Sequence, residues 1–145
     1  AQLVYLDHRG NGRSDRGAPE QWNLAQWGDD IRTFCDTLGI EKPVVFGNSF
    51  GGIVAMAYAT RHPDHPGKLV LSSTTAKSRF DRIFAAFERL GGEDDPICTI
   101  DDQADIAAAI PQPLVRFERF PGCGHGVYRD DPQRAFAMLR EFLTS

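Results

Sequence analysis

Lys42-Pro43-Val44-Val45-Phe46-Gly47-Asn48-Ser49-Phe50-Gly51-Gly52-Ile53-Val54-Ala55-Met56-Ala57-Tyr58-Ala59 decides the reading of this chain. It runs from a short apolar segment, through a G-x-S-x-G pentapeptide, into a longer apolar segment. The first segment has the length and β-branched content of a buried strand, and the second has the length of a helix packed on both sides. A serine between a strand end and a helix start must sit on a sharp, strained turn. The flanking glycines leave room for that turn and for a ligand. The hydroxyl is pushed into the open, and the helix N-terminus aims its N–H groups at the same place.

Bulk properties bound what such a serine can serve. The chain has 145 residues, 41% hydrophobic and 25% charged, which suits one domain with one core. A formal charge of −4 argues against nucleic acid or an anionic membrane surface as partner. No apolar run approaches the ~20 residues of a membrane span. Three cysteines, Cys35, Cys98 and Cys123, are too few and odd in number for a disulfide framework, which points to a reducing, cytoplasmic setting. Ala1 leads straight into the strand-like run Leu3-Val4-Tyr5-Leu6 with no signal peptide, so a fragment or processed product is expected.

Working outward, short apolar runs alternate with longer amphipathic ones. Leu3–Leu6 reads as a strand ending at Asp7, and residues 8–21 as a polar, glycine-rich loop. Leu24, Trp27, Ile31, Phe34 and Leu38 recur at helical spacing, closed by Gly39. Strand 44–46 and a helix over 51–61 follow, the helix ended by His62-Pro63. A strand at 69–71, a helix over 80–90 and a short helix over 102–110 come next. A last strand is expected over 114–120. Asp131 then caps a final helix with Pro132 in its first position and an apolar stripe of Phe136, Leu139, Phe142 and Leu143. Strands alternating with helices predict an α/β fold, a three-layer α/β/α sandwich around a mostly parallel sheet.

A serine hydroxyl is a poor nucleophile without a base in hydrogen-bond reach and an acid to orient that base. Of His8, His62, His65 and His125, only His125 follows a predicted strand directly and is flanked by glycines, in Pro121-Gly122-Cys123-Gly124-His125-Gly126. Sites of parallel sheets form at the carboxyl ends of strands. The acid is expected in Gly91-Gly92-Glu93-Asp94-Asp95-Pro96, between Ser49 and His125, and three adjacent carboxylates leave the choice open.

Four motifs in order carry a resemblance over nearly the whole chain. Asp7-His8-Arg9-Gly10-Asn11-Gly12-Arg13-Ser14 is similar to a D-x-R-G-x-G-x-S loop, and Gly47–Gly52 to a nucleophile elbow. Gly92-Glu93-Asp94-Asp95-Pro96 is similar to a G-x-x-D-P acid loop, and Gly124-His125 with the helix from Asp131 to a histidine loop and last helix. Together they resemble the α/β-hydrolase-fold serine hydrolases, more narrowly the proline-iminopeptidase-like branch.

The resemblance implies a single, incomplete domain over 1–145, with 78–90 as a remnant of the cap. It implies Ser49 as nucleophile, His125 as base, Asp95 as orienting acid and the Phe50 N–H as oxyanion donor, with no metal or organic cofactor. The family's three further N-terminal strands, its H-G-G-type loop and most of its helical cap have no counterpart here, nor does the strand before its acid loop. One oxyanion donor is therefore missing. The isolated chain is expected to turn over little and to self-associate through exposed strand edges and the apolar face 80–87.

The substrate implied is a small molecule or short peptide with a carbonyl to attack: a small ester, a lactone, an N-terminal proline peptide or a cleavable C–C bond. Glu88 is the candidate to receive a substrate ammonium. Other readings fit less well. Gly10-x-Gly12 has its third glycine misplaced and no prompt helix, unlike a dinucleotide loop. His62-x-x-His65 with Asp64 lies in a proline-rich turn without further metal ligands. Cys123 has no elbow around it. Residues 80–87 read as core or pocket lining before they read as a protein-binding helix, and Asp101 and Asp102 as helix-capping residues. The alternative from another class is a binding module that keeps the fold and has lost turnover.

Overall fold

The computed structural model describes residues 2–76, 99–110 and 116–144. Two strands and five helices are assigned among them: α1 (Leu24–Leu38), β1 (Val44–Asn48), α2 (Phe50–Arg61), β2 (Lys68–Ser72), α3 (Ile100–Ala109), α4 (Val127–Asp130) and α5 (Pro132–Thr144). β1 and β2 pair. Gly67 N–H donates to Pro43 O at 2.8 Å near their beginnings, and Ser49 N–H to Ser72 O at 3.0 Å at their ends. Both partners advance together along the chain, so the pair is parallel, as the intervening helix requires. The chain divides into two compact units, one of residues 1–45 and 54–70, the other of residues 46–53 and 71–145.

In the first unit, α1 begins where predicted because Asn23 Oδ1 accepts the Gln26 N–H at 2.9 Å. It ends at Gly39, whose φ of 67° only glycine adopts freely. Ile31 and Cys35 of α1 pack with Val54 and Tyr58 of α2, and Trp27, Phe34, Ile40 and Val45 lie around them. Gly28 lets the helices close: a Cβ there would stand 3.0 Å from the Tyr58 nitrogen.

Beside that core, the Asp29 carboxylate takes both the Arg61 Nε–H (2.8 Å) and an Arg61 Nη2–H (2.6 Å). The His62 Nε2 lies 2.8 Å from the same carboxylate. The Arg61 hydrogen bonds, with lesser help from His62, hold the Asp29 carboxyl down to about 2 from its ordinary 3.8. A pKa depressed on folding gives stability that is complete above pH ~4 and lost as pH falls through about 2. The pair is partly exposed, which keeps its contribution modest. Thermal midpoints of Asp29→Asn and wild type between pH 2 and 6 should therefore differ most above pH ~4 and converge at the acid end. Parallel curves would show that this carboxylate does not carry the acid sensitivity.

The polar loop before α1 closes on itself. Ser14 Oγ donates to Asp7 O at 2.6 Å and Arg13 N–H to Asp7 Oδ2 at 3.0 Å. Gly12, at φ 51°, presses where a side chain would strike that carboxylate. Arg9 forks onto Asp30, and Trp27 Nε1–H donates to Arg9 O at 3.0 Å. Arg9 thus faces α1 and Arg16 the loop's own backbone, while the Arg13 side chain is largely exposed.

The His62-x-x-His65 turn is structural too. Ile40 O can only accept, so the His65 Nε2–H donates to it at 3.3 Å, which leaves Nδ1 to accept the buried Tyr58 hydroxyl at 2.5 Å. Burial pushes that hydroxyl up to about 12. Among the described residues no three metal-ligating side chains cluster, and no helix is long and apolar enough to cross a membrane.

Three expectations are corrected here. Residues 3–6 form no strand: they pair with neither β1 nor β2, and Leu3 and Tyr5 are largely exposed. A strand exists only through its ladder, and no neighbour among the described residues supplies one. Residues 116–120 likewise lack a ladder, although Arg116 and Glu118, two apart, pair as side chains of an extended backbone do. β1 is not deeply buried: Val44 and Phe46 are each 46% exposed, because β2 is its one partner among the described residues. Elsewhere the boundaries differ by a residue or two, and α4 is an unforeseen single turn. α5 starts as expected, Asp131 Oδ1 accepting the Arg134 N–H at 3.2 Å with Pro132 in the first position. The helix expected over 80–90, the cap remnant 78–90 with Glu88, and Cys98 lie outside the described residues.

Candidate active site

The second unit contains the end of β1, the first turn of α2 and the segment carrying His125. Ser49 follows β1 directly at φ 51°, one of two non-glycine residues in the left-handed region among those described. An L-residue avoids this conformation by about 1–2 kcal/mol, so surrounding bonds must hold it. They do so on both sides of the residue. Ser49 N–H donates to Ser72 O, and Ser49 O accepts the Gly52 N–H at 2.9 Å and the Thr74 hydroxyl at 2.8 Å.

The glycines of the motif play different parts. A Cβ on Gly47 would lie 2.6 Å from Gly51 O and 2.7 Å from Gly52 Cα, so this glycine lets strand and helix cross. A Cβ on Gly52 would run into the Thr74 side chain. Gly51 has nothing among the described residues within 4 Å of where a Cβ would be, so no close packing demands a glycine there.

His125 Nε2 stands 2.8 Å from Ser49 Oγ, with both side chains partly buried. The histidine's glycine-rich segment is tied down. Gly122 turns at φ 74°, and Gly124 N–H donates to Asp130 Oδ2 at 2.9 Å. The Arg129 guanidinium, then that N–H, hold the Asp130 carboxyl below its ordinary range, so it stays an acceptor. Tyr128 meets Phe46 edge-on at 5.2 Å and Phe136 at 5.5 Å. Phe46 lies three residues before Ser49 and Tyr128 three after His125, so this aromatic bridge joins the two segments that bear the pair.

The geometry can perform one elementary step: a neutral imidazole nitrogen within reach of a serine hydroxyl can take its proton as the oxygen attacks an electrophile. Phe50 opens α2, which puts its N–H in the helix's first turn, where backbone donors face an anion. Cys123 is poorly placed as a rival nucleophile. Partial burial, then Asp131 and Asp130, push its thiol pKa up. Asp95, with Glu93 and Asp94, lies outside the described residues.

Sequence reading missed Thr74, Asp130 and Tyr128. The hydroxyl run Ser72-Ser73-Thr74-Thr75 after β2 was the available signal for the first, and the aromatic three residues beyond His125 for the last.

A parallel strand–serine–helix turn of positive φ, with histidine on the serine oxygen, defines a nucleophile-elbow architecture. Residues 1–89 match the family described as the alpha/beta hydrolase fold, and the chain belongs to that family. It is 29% identical to a monoacylglycerol lipase of Mycolicibacterium smegmatis, over 97% of this chain and 58% of that protein. It is 42% identical to a 2-hydroxymuconate semialdehyde hydrolase of a Pseudomonas species, over 53% of this chain and 27% of that one. The chain thus spans about a quarter to just over half the length of these relatives. A thermophilic esterase from Thermogutta terrifontis shares the fold at a TM-score of 0.74 and 21% identity, over 95% of this chain and 78% of that one.

Proposed function

We propose that the protein is a serine hydrolase that transfers an acyl group from an ester or amide to water through an acyl-enzyme. Ser49 attacks the carbonyl. His125 takes its proton and later returns it to the leaving group. Asp95 holds the imidazole in the required tautomer, and the Phe50 N–H receives charge developing on the carbonyl oxygen. The observation that carries this reading is the 2.8 Å approach of His125 Nε2 to a serine held at φ 51°. A strained, multiply bonded serine facing a base is a costly arrangement for a surface turn to keep without a use.

The names of the relatives, a monoacylglycerol lipase and a 2-hydroxymuconate semialdehyde hydrolase, favour small carbonyl substrates, the first a neutral ester and the second an anionic semialdehyde. The resemblance of the acid loop and the Arg9–Ser14 loop to the proline-iminopeptidase-like branch adds N-terminal proline peptides to the set. A cytoplasmic setting and self-association through exposed apolar edges such as Leu3–Leu6 belong to the same proposal.

The test is labelling with a fluorophosphonate probe, followed by a panel of p-nitrophenyl esters and proline-naphthylamide. Labelling at Ser49 with ester turnover is expected. No labelling above Ser49→Ala would leave the fold as a binding module. Equal turnover of N-acetylated and free-amine proline substrates would remove the aminopeptidase part.

A further inference from the structure

We propose that the turn after β2, residues 72–74, is a positioning device that grips the peptide of Ser49, and that Thr74 is its working side chain. The inference rests on the serine-hydrolase reading above and adds to it a residue outside the elbow motif. Both polar backbone groups of Ser49 are bound by this one turn: its N–H donates to Ser72 O at 3.0 Å, and its carbonyl accepts the Thr74 hydroxyl at 2.8 Å. Ser73, between those two contacts, is itself at φ 47°, and it is buried. Two successive parallel strands therefore each end in a serine in the left-handed region, and the second turn is shaped to hold the first.

Thr74 is 2% exposed and lies against Gly52, where any side chain would displace it. The glycine after the pentapeptide thus has a specific role, since it admits the residue that fixes the serine. The hydroxyl acts twice. It opposes relaxation of Ser49 out of its strained conformation, and it fixes the carbonyl that also accepts the Gly52 N–H in the first turn of α2. The Phe50 N–H shares that carbonyl's peptide plane, so its aim follows the grip, and the Ser49 Cα that carries the side chain is held between this peptide and the one bonded to Ser72 O. Small displacements at such a centre greatly slow the reaction.

The experiment compares Thr74→Val, which keeps shape and loses the hydroxyl, with Thr74→Ser, which keeps the hydroxyl and loses the methyl. Two readouts are taken: fluorophosphonate labelling of Ser49 as a function of probe concentration, and amide hydrogen exchange at Ser49 and Gly52. Thr74→Val should lower the maximal labelling rate about 10-fold with little change in the half-saturating concentration. It should also speed exchange at the two amides about 5-fold. Thr74→Ser should restore both. Wild-type rates and exchange in Thr74→Val would overturn the proposal. So would equal impairment of Thr74→Ser, which would assign the effect to methyl packing on Gly52. If wild type and Ser49→Ala label alike, the serine-hydrolase reading falls, and the exchange comparison alone then decides the grip.

Discussion

Ser49→Ala should lower kcat toward a p-nitrophenyl ester by at least ~10³-fold, as removal of the attacking group does in enzymes that use one. Ser49→Gly should be equally inactive yet more stable than either. Alanine keeps the Cβ and hence the cost of φ 51°, whereas glycine removes it. A gain of about 1 kcal/mol in unfolding free energy is expected for the glycine variant over the alanine variant. The two variants thus separate chemistry from strain. An alanine variant that keeps more than a tenth of wild-type turnover would remove Ser49 from the reaction. A glycine variant no more stable than alanine would mean that the turn is not strained by its side chain, and that the bonds from Ser72 and Thr74 stabilise the left-handed peptide itself.

The elbow was legible because each part of it is a local constraint. Gly47 is required where a strand and the next helix cross at backbone contact, Ser49 by the chemistry, and the apolar runs on either side by burial. α1 was legible for a similar reason, since helical spacing of Leu24, Trp27, Ile31, Phe34 and Leu38 and a terminating Gly39 are properties of the segment alone. His125 could be picked from four histidines by position after a predicted strand, although that stretch carries no ladder in the structure. In the structure glycines and a neighbouring helix, not a strand, set the segment's course.

What failed was pairing. An apolar run such as Leu3–Leu6 announces a strand whether or not a partner edge is there, and a partner edge is not a property of the run. Thr74 was invisible for the same reason. Its hydroxyl bonds a carbonyl 25 residues away, and nothing in the run Ser72–Thr75 says which of four hydroxyls does so. Asp130 stands beside the capping Asp131 with no mark of its own, yet its carboxylate accepts the Gly124 N–H.

Asp95→Asn should lower turnover by about 10⁴-fold, and Asp94→Asn far less, because a base held in the wrong tautomer is nearly useless. The geometry at His125 sets up the demand. Its Nε2 faces the Ser49 hydroxyl at 2.8 Å, so Nε2 must carry the lone pair, and the ring's proton must reside on Nδ1. A carboxylate at Nδ1 fixes that tautomer and stabilises the imidazolium formed when the serine proton moves. An amide there can instead present its oxygen or its NH₂, and the latter drives the proton to Nε2. Three adjacent candidates exist, and Asp95 is preferred because it precedes Pro96, as the acid does in the loop that Gly92–Pro96 resembles. The control separating charge from tautomer is the pH profile. Asp95→Asn should keep a low kcat/KM across the whole range, with no pH at which it recovers the wild-type value. If Asp94→Asn proves the more damaging change, the acid sits one residue earlier and the loop registers differently. If neither change matters, His125 takes its orientation from another group, and the Ser49–His125 pair works without a carboxylate from this loop.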